Sequence, residues 1–353
     1  MRVPPRWLRR VLLAPAVVIV AILALVATPL WLLVALAVAS LVPRWFRLPR
    51  VLWLLTVYLV WDAAVVLTMF GLWVGSGFGR QLRSAPFVRA HYRVARLALR
   101  ALFWVFGAVL RLDIVPSADD DSDAGGAARA FDALLASGVP LVVASRHGGP
   151  GDSFILVHML LNRADREPRI VLKDTLQWDP AIDIMLSRVP ARFIIPTGFG
   201  GQRGGGRSVA DQVAALAEGL DADDALVIFP EGGQVSVGRR RSRVARLRAA
   251  GRKDLAERAA RLRHVMAPQP GGVFAALGAA SDADVVFIGH TGLDRLRTLG
   301  DIWHELPMDK RLTMRAWRVA RREIPADREA QAEWLLGWFE RIDRWIDAHD
   351  DAR

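Results

Sequence analysis

The stretch Val139-Pro140-Leu141-Val142-Val143-Ala144-Ser145-Arg146-His147-Gly148-Gly149-Pro150-Gly151-Asp152-Ser153 decides how this chain folds. Its first six residues are short, apolar and β-branched, the pattern of a buried strand. The run Phe154-Ile155-Leu156-Val157-His158-Met159-Leu160-Leu161 that follows reads as a helix. His147 therefore leaves the end of a strand, and Asp152 opens a helix. The glycines between them let the backbone turn tightly enough to bring the two side chains together. A carboxylate on one ring nitrogen fixes a histidine's tautomer and raises its basicity, leaving the other nitrogen to take a proton from a hydroxyl. The plainer reading of the same residues is an aspartate capping a helix beside a surface histidine.

Outward from this stretch, strands and helices alternate. Candidate strands are Leu141 to Ala144, Arg169 to Leu172, Arg192 to Pro196, Ala225 to Phe229 and Asp284 to Ile288. Helical stretches separate them, among them Ser153 to Leu161 and Ser208 to Gly219. That alternation predicts an α/β fold with a mostly parallel central sheet flanked by helices. Ligand sites in such sheets lie beyond the carboxyl ends of strands. His147 sits at one such end, and Glu231 at another, directly after Val227-Ile228-Phe229-Pro230.

Ahead of the sheet the chain changes character. Arg2, Arg6, Arg9 and Arg10 precede an uncharged apolar run from Val11 to Val42, broken only by Pro15 and Pro29. It exceeds the roughly 20 residues that one membrane span needs. It reads either as a hairpin split at Pro29 or as one long tilted helix. A second run, Val51 to Val74, carries the single carboxylate Asp62, for which the sequence names no partner. Arginines flank every apolar segment, so charge asymmetry discriminates poorly; two passages with both outer ends cytoplasmic is the favoured arrangement. Phe87 to Leu112 is basic, aromatic and amphipathic, suited to a membrane interface or to covering the sheet. The acidic loop Ser117 to Gly126 follows, and the start of the α/β domain is placed just before it.

The formal charge of the 353 residues is +11, and cysteine is absent. Disulfides, thiolate metal sites and cysteine nucleophiles are excluded. High charge together with high apolar content suits an anionic membrane face better than nucleic acid, and no nucleic-acid module accompanies it. The basic centre is Arg239 to Arg263, with eleven arginines and lysines against Asp254 and Glu257. It reads as a solvated helix, or as a surface for anionic lipid headgroups or the phosphates of a coenzyme. Gly198 to Arg207 is a glycine-rich segment whose spacing fits no dinucleotide fingerprint. It is either a loop that carries Arg203 and Arg207 over a substrate or a plain connection. Trp334, Leu335, Trp338, Phe339, Ile342, Trp345 and Ile346 recur at helical spacing and read as core.

Four landmarks now stand in fixed order: His147-x4-Asp152, Arg192-Phe193-Ile194-Ile195-Pro196, Phe229-Pro230-Glu231-Gly232 and His264-Val265-Met266-Ala267-Pro268. This set resembles the motif blocks of the membrane glycerolipid acyltransferases, above all the lysophosphatidic acid (1-acylglycerol-3-phosphate) acyltransferases. Leu306 to Lys310 and Glu323 to Asp327 look like the tail of that family's eukaryotic-type branch. The resemblance covers roughly residues 130 to 345. It implies acyl transfer from an acyl-CoA or acyl carrier protein thioester to the hydroxyl of a lysophospholipid, with no metal and no further cofactor. It implies His147 as general base, Asp152 as its orienting group, and Glu231 with Gly232 in the acceptor site. Arg203, Arg207 and Arg239 are candidates for holding the acceptor. The backbone of Gly148, Gly149 and Gly151 can supply donors to a thioester oxyanion. Residues 1–80 are then membrane-anchoring helices, 81–116 an interfacial helix and 117–353 the acyltransferase domain, facing the cytoplasm at the cell membrane.

Three positions depart from the family pattern. An arginine is missing after the Phe193-Ile194 pair, Gly233-Gln234 replaces Thr-Arg in the third block, and Gln269-Pro270-Gly271 stands where basic residues follow the fourth block's proline. These positions are linked with the acceptor phosphate, so Arg192, Arg203, Arg207 or Arg239 to Arg241 must substitute, or the acceptor is another lysolipid. Two alternatives belong to other classes. One is an acyl-ester hydrolase, against whose serine form the absence of a Gly-x-Ser-x-Gly elbow speaks. The other is a non-catalytic binder of anionic lipid.

Overall fold

The computed structural model describes residues 3–39, 47–117, 124–149, 151–194, 208–292, 294, 301, 303–304, 306 and 309–349. They form two compact units. The first comprises 1–112, 172–200 and 302–309, and the second 113–171, 201–301 and 310–353.

In the first unit, α1 (Arg6–Leu8) and a π turn (Arg9–Leu13) run directly into α2 (Ala14–Ala39), with Pro29 inside the helix. Of the two readings of this run, the continuous helix is the one observed. α3 (Arg47–Gly75) packs along it. Residues Arg6–Val38 and Arg47–Gly75 are each long and apolar enough to cross a membrane. α2 leaves large apolar side chains such as Ile22, Leu23, Val26, Leu30 and Leu33 exposed. Asp62 does have a partner: its buried carboxylate accepts the Ala181 N–H at 2.7 Å, at the start of α7 (Pro180–Leu186). On the same helix Asp183 receives Arg9 Nη1 at 3.0 Å and Arg10 Nε at 3.1 Å. The amphipathic stretch forms α4 (Ala85–Leu110), which packs on α3 and accepts the Trp61 Nε1 N–H at its Ala98 carbonyl. β4 (Ala191–Ile194) also belongs to this unit.

The second unit is built on six strands in the order β1-β7-β6-β2-β5-β3. β2 (Leu141–Ser145) runs parallel to β5 (Asp224–Ile228) on one side and to β6 (Asp284–Thr291) on the other. β3 (Glu167–Lys173) is parallel to β5. β7 (Lys310–Val319) is antiparallel to β6. The expected mostly parallel sheet is therefore present. Two strands were not among the candidates. β7 is one; the other is β1 (Leu112–Pro116), which lies ahead of the acidic loop just before which the domain was placed.

Leu141, Val142, Val143 and Ala144 have no exposed surface, so β2 is buried on both faces as its unbroken apolar run requires. Alternate side chains serve opposite faces. Val142 and Ala144 join one large core with Leu226, Phe287 and the helices α8 (Val209–Ala217), α10 (Lys253–Arg261), α11 (Pro270–Ala279) and α12 (Arg328–His349). From α12 this core takes Leu335, Phe339, Ile342, Trp345 and Ile346 of the helical stripe read as core, together with Leu336, while Trp334 and Trp338 of that stripe pack against it partly buried. α5 (Ala124–Leu135) and α6 (Asp152–Asn162) complete the unit, with α9 (Val237–Ala249) joining α10 in the basic centre. That centre is thus two helices rather than one. Ser208 caps α8 in a reciprocal capping box with Asp211.

Candidate active site

The central strand delivers the site. β2 ends at Ser145, and α6 begins at Asp152, with Gly151 at φ 100° as its N-cap residue. That left-handed angle is one that glycine adopts without a steric penalty. Asp152 is therefore the first helical residue rather than the cap. Its side chain turns back into the loop, where Oδ2 accepts the Gly149 N–H at 2.7 Å and faces His147 Nδ1 at 3.3 Å. The imidazole keeps 23 % of its surface exposed, whereas the carboxylate is buried. The ring also packs on Phe229, 4.8 Å between centroids. Burial alone would raise the Asp152 carboxyl. His290, His147 and the Gly149 N–H together hold it below the usual carboxylate range. An ionised Asp152 makes Nδ1 the protonated nitrogen and leaves Nε2 as the base.

Glu231 lies beneath this pair at 1 % exposure. One oxygen accepts the His147 N–H at 2.7 Å, and the other accepts the Met266 N–H at 2.7 Å. Its carboxylate thus pins the backbones of the first and fourth motif blocks together. Burial pushes it up to about 7, against the pull of the His147 N–H, Arg146 and the Met266 N–H.

Arg146 fills the space behind the loop at 1 % exposure. It donates to the carbonyls of His290 and His264, and pairs with Asp294. This explains Gly148, where a Cβ would lie 2.7 Å from the Arg146 guanidinium. The Gly149 N–H donates to Asp152 Oδ2 at 2.7 Å.

Gly232 and Gly233 have φ of 68° and 146°. A side chain at either position would collide with Gln269 or Arg239. Arg239, which is exposed, donates to the Gln234 carbonyl at 3.0 Å. Arg243, one turn further along α9, donates to the Glu231 carbonyl at 3.1 Å. With its amide oxygen turned toward Arg243, Gln269 accepts from that guanidinium at 2.7 Å. Arg203 and Arg207 lie outside the described residues, as does the side chain of Arg192.

Reading the sequence missed Arg146, Arg243 and His290. His290 carried a signal, since it stands near the carboxyl end of a parallel strand where sites form. Its Nε2 lies 3.6 Å from Asp152 Oδ2, and the ring is almost fully buried.

Residues 131–291 match the family model described as Acyltransferase. That span holds His147, Asp152, Glu231 and His290 on the strand ends just described. The class is thereby set: residues 131–291 are an acyltransferase domain, and the chain is an acyltransferase. Among solved structures, the 1-acyl-sn-glycerophosphate acyltransferase PlsC from Thermotoga maritima is similar. The match has 11 % identity and a TM-score of 0.49, covering 86 % of this chain and 99 % of that one. A search of curated proteins finds no match.

Proposed function

We propose that this protein moves an acyl group from a thioester to the hydroxyl of a lysophospholipid at a membrane surface. The observation that carries it is His147 Nδ1 facing Asp152 Oδ2 at 3.3 Å, at the carboxyl end of the central strand. His147 Nε2 takes the proton as the acceptor oxygen attacks the thioester carbonyl. The carbon–sulfur bond then breaks, and the departing thiolate takes the same proton back. The acyl group thus changes partner with no acyl-enzyme and no net proton change on the protein. A glycerol hydroxyl is a weak nucleophile, and a positioned base contributes about 10²- to 10⁴-fold.

Glu231 positions the base through the His147 backbone, and Gly232 gives Gln269 and Arg243 room to approach. Arg239 and Arg243 are the cations we assign to an acceptor phosphate, in place of the absent Thr-Arg and of the basic residues of the fourth block. The two apolar helices of the first unit support membrane anchoring, and we propose the cell membrane with this domain on the cytoplasmic side. Anionic lipids are the partners that the +11 charge favours.

The test is an acceptor screen with purified protein, labelled acyl-CoA or acyl carrier protein thioester, and a panel of lysolipids separated by chromatography. Acylated lysophospholipid as the dominant product supports the reading. Free fatty acid formed without an acceptor would instead make the protein a hydrolase.

A further inference from the structure

Residues 262–269 connect α10 to α11 and form neither strand nor helix, so their backbone donors must find partners elsewhere. Most of those partners are carboxylates. Asp343 accepts the Arg263 N–H at 3.0 and 3.1 Å, one contact to each oxygen. Its Oδ1 also accepts the N–H groups of His264 at 2.6 Å and Val265 at 3.1 Å. The next amide, that of Met266, goes to Glu231 at 2.7 Å, and the other oxygen of Glu231 accepts the His147 N–H. Four consecutive amides thus end on two carboxylates, and the second of these also grips the backbone of the base. Further along, the Gln269 N–H donates to the Pro230 carbonyl at 2.7 Å.

Asp343 is itself firmly placed. It is 8 % exposed and stands on α12 with Phe339, Ile342 and Ile346, none of which has exposed surface. These three pack in the large core, so the helix holds the carboxylate independently of the segment it grips. Hydrogen bonds from N–H groups to an ionised acceptor are roughly twice as strong as neutral ones. The neighbouring acids of α12 meet side chains instead. Glu340 pairs with Arg258, and Asp347 faces His264 Nε2 at 3.1 Å and Arg263 Nη1 at 3.6 Å. All of α12 lies beyond residues 131–291, which match the acyltransferase model.

We propose that Asp343 is a positioning residue for His147, acting through the 263–266 backbone and Glu231. Without its carboxylate, three amides lose their acceptor and the segment shifts. The Met266 N–H then moves against Glu231, and Glu231 carries the displacement to the His147 backbone. A misplacement of about 1 Å can cost about 10²-fold in rate. This role rests on the acyl-transfer reading, so one of its two readouts is independent of turnover.

The experiment uses the full-length chain in detergent as wild type, Asp343→Ala, Asp343→Asn and Glu340→Gln, the last a control on the same helix. Hydrogen exchange is read by mass spectrometry in peptides spanning 262–269 and 145–149. Lysolipid-dependent thiol release from acyl-CoA is measured alongside. Asp343→Ala speeds exchange in both peptides and lowers kcat about tenfold or more, with KM for the thioester unchanged. Asp343→Asn keeps an oxygen at the accepting position without the charge, and it recovers part of both losses. Glu340→Gln breaks the pair with Arg258 but leaves kcat and the 145–149 peptide as in wild type. Should Asp343→Ala melt early, the same two readouts in Asp343→Asn carry the test. Faster exchange confined to 262–269, or a folded Asp343 variant with wild-type kcat, overturns the role. A wild type that shows the coupled exchange but no lysolipid-dependent turnover refutes acyl transfer and leaves the coupling of Asp343 to His147 standing.

Discussion

His290 and Asp152 face each other across the buried end of the sheet, Nε2 to Oδ2 at 3.6 Å, and that oxygen is the one that also faces His147. One carboxylate oxygen thus stands between two imidazoles, only one of which reaches solvent. Burial, the largest influence on His290, keeps its pKa below the ordinary histidine value, against the pull of Asp152 and Asp294. A neutral ring here packs against the Asp152 carboxylate, beyond hydrogen-bond distance, without competing for the proton that His147 handles. His290→Leu is expected to lower kcat about tenfold, the scale of losing a supporting partner of a positioned ligand. KM for the acceptor should stay near wild type, and His290→Asn should recover part of the loss. Steady-state kinetics check this; a wild-type kcat in His290→Leu would make the residue mere packing.

Glu231 makes the stability of the fold depend on pH. Its folded-state value of about 7 lies above the ordinary 4.5. The folded chain therefore binds this proton more tightly than the unfolded chain does. The associated stability is complete below about pH 4.5 and is lost as pH rises through about 7, by at most about 1.4 kcal/mol per unit. Glu231→Gln removes the titration and flattens that slope. It also turns an amide NH₂ toward a backbone N–H, at a cost of about 1–3 kcal/mol. Urea midpoints measured at about pH 5 and pH 7 test both effects, and a variant that keeps the wild-type slope would contradict the assignment.

The loop glycines are set by what lies behind them. Gly148→Ala puts a methyl 2.7 Å from a guanidinium that is itself buried and bound at three acceptors. Overpacking of this kind costs about 1–3 kcal/mol. Gly151→Ala meets open space, so its penalty is the left-handed backbone alone, about 1–2 kcal/mol. Denaturant unfolding should destabilise both variants, and activity should fall further in Gly148→Ala, because Arg146 sits next to the base.

Arg243→Gln and Arg239→Gln test the acceptor assignment. Each should raise KM for a phosphate-bearing lysolipid about tenfold, the worth of one charge-assisted contact. KM for the thioester should stay unchanged. Equal KM shifts for charged and neutral acceptors would move the phosphate site elsewhere.

The parallel core and the His147–Asp152 pair were legible because β2 is an unbroken apolar run followed by glycines. β7 was missed although Leu312, Met314 and Ala316 alternate with Arg311, Thr313 and Arg315. Its charges masked a strand whose buried Arg315 lies over a tryptophan ring. β1 was absorbed into the amphipathic stretch, since apolar residues continue past the point where Arg111 ends α4 at φ 51°. Glu231 was found by motif, but its task was not, because the partners are backbone N–H groups at residues 147 and 266. No side-chain pattern marks such a contact. The continuity of α2 through Pro29 was likewise open until the helix was seen.

The central claim rests on the Nε2 of His147, and it is tested most directly by lysolipid-dependent release of thiol from acyl-CoA in His147→Ala. The account predicts a fall of about 10²-fold or more with an unchanged unfolding curve. A folded variant that retains more than about a tenth of wild-type turnover would contradict it, since a positioned general base contributes more than that.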